Sequence, residues 1–127
     1  MSILEFEELN NRTEKIIGCA FKVSNQLGPG FLEKVYENAL VLELRKSGLD
    51  FEQQVPLKVK YEGIVVGDYN ADLLIEKSIL VELKAVTTLD KSHYAQCLNY
   101  LKATGLTLCL LLNFGTQKVQ IKRIINT

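Results

Sequence analysis

The chain has 127 residues, of which 47% are hydrophobic, and its 15 basic and 15 acidic residues cancel. A chain of this length is typical of one domain, and its low content of proline and glycine argues against disorder. A protein that binds nucleic acid strongly and without sequence preference usually carries a surplus of basic residues, which this chain lacks. We therefore expect one compact domain over residues 1–127.

The sequence shows no sign of a targeting or membrane segment. Its amino terminus is acidic and polar, and its longest apolar run, residues 106–112, is far shorter than the ~20 residues of a membrane-spanning helix. These features predict a cytoplasmic protein with no membrane partner. Three widely spaced cysteines and one histidine argue against a structural zinc site, which normally takes four such ligands. The cysteines are expected to be reduced and packed in the core.

The first part of the chain predicts two helices. Apolar residues recur at helical spacing from Ile3 to Leu27, and Gly28-Pro29-Gly30 ends this helix. A second helix is predicted over about residues 31–46, followed by a stop at Ser47-Gly48. The apolar stripe of the second helix comprises Leu32, Val35, Tyr36, Ala39, Leu40 and Leu44.

The rest of the chain is mostly extended, with one further helix. The strands on either side of that helix can run parallel, with the helix as their crossover, while the first three strands form an antiparallel meander. This order predicts an α/β fold with a mixed central sheet flanked by helices. The predicted strands are Phe51–Tyr61, Ile64–Ile75, 79–86, 106–114 and 118–125, and the third helix is 91–103.

The hairpin between the second and third strands brings two carboxylates together. If Glu76-Lys77-Ser78 is its loop, the pairing is symmetric about Lys77, so that Asp72 faces Glu82. Directly opposed residues point to the same side of a sheet, with Cβ atoms about 5 Å apart. Lys84 lies two residues beyond Glu82 and projects from that side as well.

The third strand is apolar at almost every position, so carboxylates on it need compensation. Two facing carboxylates repel each other, and burying them is costly unless their charge is balanced. A divalent cation between them removes both problems, and oxygen ligands without imidazole or thiolate favour Mg²⁺ or Mn²⁺. The alternative interpretation is a half-buried Asp/Lys/Glu cluster that satisfies itself.

The same residues carry a family resemblance. Asp72 followed by Glu82-Leu83-Lys84 on the next strand resembles the core motif of the PD-(D/E)XK nuclease superfamily, although Ala71 stands where the superfamily's name has proline. The run from Gly30 through Glu33 to Tyr36 resembles the motif that names the GxxExxY protein family, a bacterial branch of that superfamily. Other fragments that fit in order include Gln54-Val55-Pro56, Val81-Glu82-Leu83-Lys84-Ala85-Val86, Ala95-Gln96, Asn99-Tyr100-Leu101 and Asn113-Phe114-Gly115.

The resemblance implies a restriction-endonuclease-like core and a metal-dependent nuclease that hydrolyses phosphodiester bonds, of DNA more than RNA. It implies that Asp72 and Glu82 ligate the metal, with the carbonyl of Leu83 and the carboxylate of Glu33 as further ligands. Lys84 would orient or activate the attacking water and stabilise the developing charge. For Glu33, favourable placement of an acid at the positive end of a helix is the alternative.

Three residues of the third helix share one face: His93, Gln96 and Tyr100. Similar members of the superfamily place a glutamine and a tyrosine here, near the scissile phosphate, which points to Gln96 as a catalytic residue and to Tyr100 as support. For His93, an exposed position in the first turn is the plainer interpretation. Tyr36 is expected to pack in the core with its hydroxyl hydrogen-bonded.

Two functions of different classes remain open from the sequence. The first is a Mg²⁺-dependent nuclease, favoured by the intact set of site residues. The second is a catalytically inactive binding or regulatory module of the same fold, favoured by the neutral net charge. A third, a hydrolase of another phosphate ester, is weaker. A small nuclease domain often works as a homodimer, and the first helix and last strand are the candidate contact surfaces.

Overall fold

A computed structural model describes residues 1–126, in which three helices and five strands follow the predicted order. The first helix and the first two strands have the predicted bounds, whereas the other elements are shorter or longer by a few residues. The elements are α1 (Ile3–Leu27), α2 (Glu33–Lys46), β1 (Phe51–Tyr61), β2 (Ile64–Ile75), β3 (Ile79–Lys84), α3 (Lys91–Thr104), β4 (Leu108–Asn113) and β5 (Gln120–Ile125).

The strands form a single sheet in the order β1-β2-β3-β4-β5. The β3 and β4 strands are parallel and are connected through α3, and the other neighbours are antiparallel. The prediction of an α/β fold with a mixed central sheet is confirmed. Pro56 lies on the edge strand β1, where the missing N–H of proline is tolerated. Within residues 1–126, no helix combines the length and apolar character that crossing a membrane requires.

The helices cover both faces of the sheet. On one face α1 and α2 pack on the inward side chains of β2, β3 and β4, among them Leu73, Val81 and Leu110. On the other face α3 packs on Leu80 and Leu111. All six residues of β4 are buried, as expected for a strand with helices on both sides.

The buried face of α2 differs from the prediction. Leu32 and Val35 were expected in the apolar stripe, but they are 81% and 39% exposed. Val41 lies in the core instead, and Glu37 is buried beside it with only 4% exposure. The buried face of the helix is therefore shifted by about one residue around its axis, and Leu32 lies before the helix as its N-cap.

The β1 and β2 strands change face at Gln54 and Asp72. Leu73 contacts the core under α1 and α2, whereas Ala71 contacts the core under α3, although alternate residues of a regular strand point to the same side. Gln54 has a φ of 52°, a left-handed conformation that is uncommon for residues other than glycine. Beyond this point the two strands continue as a hairpin past the end of β3, which pairs only with residues 73–75 of β2.

The chain that leaves β3 is held by the turn after β4. The side chain of the fully buried Asn113 donates to the Val86 carbonyl (2.9 Å) and accepts from the Val86 N–H (3.0 Å). The Phe114 N–H donates to the Lys84 carbonyl at 2.8 Å. A Cβ atom on Gly115 would lie 2.2 Å from the Val86 carbonyl oxygen, so only glycine allows this approach. These contacts fix the backbone that carries Lys84.

Candidate active site

Asp72 and Glu82 face each other where β2 and β3 separate. The pairing of Leu73 with Val81 has the predicted symmetry about Lys77. One step further, the Asp72 N–H donates to Glu82 Oε1 at 2.9 Å, and the Leu83 N–H donates to Asp72 Oδ2 at 2.8 Å. Each carboxylate thus accepts a backbone N–H of the opposite strand. The two acids therefore meet in the space between the strands.

The burial of this pair makes its negative charge unfavourable. Glu82 is only 3% exposed, and burial, followed by the nearby charge of Asp72, raises its pKa to about 8. Burial also raises the pKa of Asp72 above its usual value. Lys84 Nζ lies 4.0 Å from Glu82 Oε2, and its positive charge lowers both pKa values without cancelling the effect of burial.

A third acid, Glu37, belongs to the same network and was missed by the sequence analysis. Its carboxylate accepts from Lys34 Nζ (3.0 Å), Gln53 Nε2 (2.7 Å) and Gln54 Nε2 (2.9 Å). The Gln54 amide also lies 3.3 Å from Asp72 Oδ1, so it connects the carboxylate of α2 to that of β2. In addition, the charge of Glu37 contributes to the raised pKa of Asp72.

Glu33, the acid expected on this helix, lies one turn earlier. It is exposed in the first turn of α2, and its charge raises the pKa of Glu82 less than burial and the charge of Asp72 do. It is therefore within electrostatic reach of the pair but does not contact it. Its predicted role as a metal ligand stays a prediction.

The α3 residues Tyr100 and Gln96 differ in their burial and in their hydrogen bonds near the carboxylates. Tyr100 is buried, and its hydroxyl donates to the Asn70 carbonyl at 3.2 Å, two residues before Asp72. Burial raises the pKa of Tyr100, and the charges of Glu82 and Asp72 add to this effect. Gln96 is half-buried one turn earlier on α3, and within residues 1–126 no hydrogen bond connects it to either acid.

Two of the supporting residues have contacts of their own. His93 Nδ1 accepts the Asp90 N–H at 3.0 Å as part of the capping box that begins α3, so it is neither a free first-turn residue nor directed at the acids. Tyr36 is fully buried and stacks on Phe114 at 4.8 Å. Its hydroxyl donates to the Gly28 carbonyl (2.6 Å) and accepts the Phe31 N–H (3.1 Å), which holds the loop between α1 and α2 rather than the site.

The donor set is of the kind that a hard divalent cation prefers. Within residues 1–126, no three His, Cys, Asp or Glu side chains lie close enough together to hold a metal ion. Asp72 and Glu82 supply two carboxylates, and carbonyl oxygens or water can complete such a ligand set. Burial raises the pKa of both acids, and a cation held between them would favour their ionised forms.

Comparisons with known proteins identify the family. A model of the PD-(D/E)XK nuclease superfamily matches residues 10–124. No curated protein matches the chain. The crystal structure of LHK-Exo, an alkaline exonuclease from Laribacter hongkongensis, is similar with a TM-score of 0.55 and 13% identity over 74% of this chain and 56% of that chain. The crystal structure of SSO0001 is similar with a TM-score of 0.57 and 22% identity over 73% of this chain and 49% of that one.

These structural likenesses concern the fold, because both identities are low, and the chain spans about half the length of each neighbour. The family match does not single out the GxxExxY branch, which stays a prediction. It does extend from α1 to β5 and includes all the carboxylates described above. The chain therefore belongs to the PD-(D/E)XK nuclease superfamily.

Proposed function

We propose that the chain is a nuclease that requires Mg²⁺ or Mn²⁺ and hydrolyses phosphodiester bonds of nucleic acid, with DNA preferred to RNA. One observation carries this proposal. The buried Glu82 accepts the Asp72 N–H, and Asp72 accepts the Leu83 N–H. The ammonium of Lys84 lies 4.0 Å from Glu82. A member of a nuclease superfamily with this arrangement has the groups that the reaction needs.

Asp72 and Glu82 would hold the metal ion, with the Leu83 carbonyl as a further oxygen ligand. When bound, the ion supplies Lewis-acid stabilisation of the reacting phosphate. The two acids cannot both be ionised cheaply without it, since burial raises the pKa of each. The site is therefore better suited to two carboxylates with a cation between them than to two ionised carboxylates without one.

Lys84 would orient the attacking water and stabilise the charge that develops on the phosphate. Its side chain is 18% exposed, so the ammonium is partly shielded from solvent yet reachable by a substrate. Its backbone is fixed by Phe114, as described above. Gln96 and the buried Tyr100 would line the substrate side of the site from α3.

Glu37 would act as the acid of α2 at this site by orienting Asp72 through Gln54. Its hydrogen bonds to two glutamines and an ion pair with Lys34 hold its carboxylate in place. The left-handed backbone of Gln54 is the kind of local strain that often accompanies a functional site. Glu33, one turn away and exposed, is the outer candidate for the same role.

The test is a cleavage assay on single-stranded, duplex and branched DNA, and on RNA, in Mg²⁺ or Mn²⁺ and in EDTA. Asp72→Asn and Lys84→Met should each reduce metal-dependent cleavage at least ~100-fold. The matched controls are Asp68→Asn and Lys60→Met, which change exposed residues of the same hairpin and should cleave as the unmodified chain does. Cleavage that persists in EDTA, or in both site variants, would refute the proposal.

The alternative is a catalytically inactive binding or regulatory module. The neutral net charge favours it, because it provides no general attraction to nucleic acid. It predicts metal binding by Asp72 and Glu82 without cleavage of any of these substrates. The proposed nuclease and this module are therefore separated by the same assay.

We also propose that the chain works as a homodimer through the amino-terminal part of α1 and through β5. Ile3, Leu4 and Phe6 are more than half exposed there, and Ile125 of β5 is 58% exposed. A groove of about 380 Å³ lies between these elements. Sedimentation at working concentration tests this, and a species of 14.3 kDa would contradict it.

A further inference from the structure

A shallow groove lies between the β1–β2 hairpin and α3, beside the carboxylates but separate from them. It has a volume of about 260 Å³ and is lined by Val59, Tyr69, Asn99, Lys102 and Ala103. We infer that this groove binds a nucleotide of a single-stranded substrate, with its base stacked on Tyr69 and its phosphate near Lys102. The inference rests on the proposed nuclease function, because it names the form of nucleic acid that reaches the site.

The Tyr69 ring is held in place without being buried. It is 36% exposed, and its centroid lies 5.7 Å from that of Tyr100 at an angle of 58°. The ring also lies over Gly67, which has no side chain: a Cβ added to Gly67 would be 3.6 Å from Cε2 of Tyr69. A tyrosine that is held by its neighbours and still 36% exposed is suited to stacking.

The other residues of the groove complete the chemistry of a nucleotide site. Lys102 and Asn99 are exposed on α3 and offer an ammonium group and an amide. Val59 and Ala103 add apolar surface. Proteins that bind single strands combine aromatic platforms for the bases with positive charge for the backbone, and the stacking tolerates any base. A base within a duplex has both faces covered and cannot use Tyr69 in this way.

The groove is within reach of the proposed reaction centre. Tyr69 precedes Asp72 by three residues on β2, which corresponds to about 10 Å along an extended strand. Tyr100 connects the two places, since its ring contacts Tyr69 and its hydroxyl binds the Asn70 carbonyl. A strand with one phosphate at Asp72 and Glu82 can therefore place a nearby nucleotide in the groove.

The charge around the groove favours a single strand over a duplex. On the hairpin, the basic residues Lys58 and Lys60 are balanced by the acidic residues Glu62 and Asp68. Lys102 is thus the cation that the groove itself contributes. Duplex binding without base readout depends on many phosphate contacts, which this surface does not offer, whereas stacking of one base does not need them.

The test measures binding of a fluorescently labelled oligothymidylate by anisotropy, with Ca²⁺ in place of Mg²⁺ to prevent cleavage. Tyr69→Ala should weaken binding about tenfold, and Tyr69→Phe should keep it within about twofold, because stacking needs the ring and not the hydroxyl. Lys102→Ala should weaken binding and reduce the slope of log affinity against log salt by about 0.7. Tyr61→Ala, at the exposed tip of the same hairpin, is the matched control and should bind normally.

Several outcomes would overturn the inference. Equal affinity of Tyr69→Ala and Tyr61→Ala for the oligothymidylate would exclude stacking on Tyr69. If Tyr69→Phe lost as much affinity as Tyr69→Ala, the contact would be made by the hydroxyl and not by the ring. If the unmodified chain cleaves single strands and the groove variants bind normally, the groove inference alone fails. If the unmodified chain neither binds nor cleaves, the proposed function fails with it. Lys102→Ala changes an exposed residue, so its result does not depend on whether Tyr69→Ala folds.

Discussion

Replacing Glu82 by glutamine should stabilise the metal-free protein at alkaline pH. Glutamine keeps an oxygen that can accept the Asp72 N–H, which lies 2.9 Å from Glu82 Oε1, but it removes a buried negative charge. The pKa of Glu82 is raised from 4.5 to about 8, chiefly by burial. The folded state therefore binds more protons than the unfolded state between these two pH values.

The sign and size of the effect follow from proton linkage. Stability falls as pH rises wherever the folded state binds more protons, so the metal-free chain should lose stability from about pH 4.5 to about pH 8 and then level off. At ~1.4 kcal/mol per pKa unit, the upper bound of this loss is roughly 5 kcal/mol. Part of the gain in Glu82→Gln is offset, because the new amide group lies near the ammonium of Lys84. We expect a net gain of about 1–3 kcal/mol at pH 9 and little difference at pH 5.

Urea unfolding in EDTA at pH 5 and pH 9 measures this directly. Glu7→Gln, at an exposed position of α1, is the matched control and should not differ from the unmodified chain at either pH. Added Mn²⁺ should reverse the order at pH 9, because it stabilises only the chain that keeps both carboxylates. Equal stability of the unmodified chain at pH 5 and pH 9, or no gain in Glu82→Gln at pH 9, would refute the reasoning.

Four further predictions concern the site and its support. Mn²⁺ affinity, measured by calorimetry, should rise up to about tenfold per pH unit below pH 8 and level off above it, since the ion displaces the proton of the buried acid pair. Glu37→Gln should reduce cleavage at least ~10-fold and more than Glu33→Gln, because Glu37 contacts the network around the site; equal effects would contradict this. Gly115→Ala should lower the free energy of unfolding by about 3 kcal/mol or more, since its Cβ would meet the Val86 backbone. Gly18→Ala, in open space on α1, should raise the free energy of unfolding by up to about 1 kcal/mol. Thermal unfolding compares the two variants. Tyr36→Phe should lower the free energy of unfolding by about 1–3 kcal/mol and leave cleavage unchanged, because its hydroxyl binds the loop between α1 and α2.

Local patterns predicted the architecture well because they act within single elements. The hairpin loop around Lys77 set the register that brings Asp72 opposite Glu82, and the structure has that register as far as Leu73 and Val81. A proline inside a strand indicates an edge or a bulge, and Pro56 lies on the edge strand β1. These predictions depend on alternation and turn chemistry, which are visible in the sequence.

The orientation of α2 was harder to predict because it depends on how the helix packs against α1 and the sheet. With Leu32 as N-cap, the buried face contains Tyr36, Glu37, Leu40, Val41 and Leu44. The signal for Glu37 was present, since it lies three, four and seven residues before Leu40, Val41 and Leu44. The family resemblance pointed instead to Glu33, which is exposed.

Contacts between distant elements could not be predicted from spacing. Gln54 connects Glu37 to Asp72 from a left-handed backbone position, for which a glutamine gives no sequence signal. His93 closes a capping box with Asp90, whereas the plainer expectation from the sequence was an exposed residue of the first turn. The metal, the DNA preference and the dimer remain proposals, since each depends on a partner outside the chain.

The most direct test of the central claim is isothermal titration of the purified chain with Mg²⁺ and Mn²⁺ at pH 8. We expect one divalent ion to bind per chain, with binding lost in Asp72→Asn and in Glu82→Gln and unchanged in the exposed control Asp68→Asn. Equal binding by the unmodified chain and both site variants, or no binding by any of them, would contradict the assignment of a metal to this pair of carboxylates.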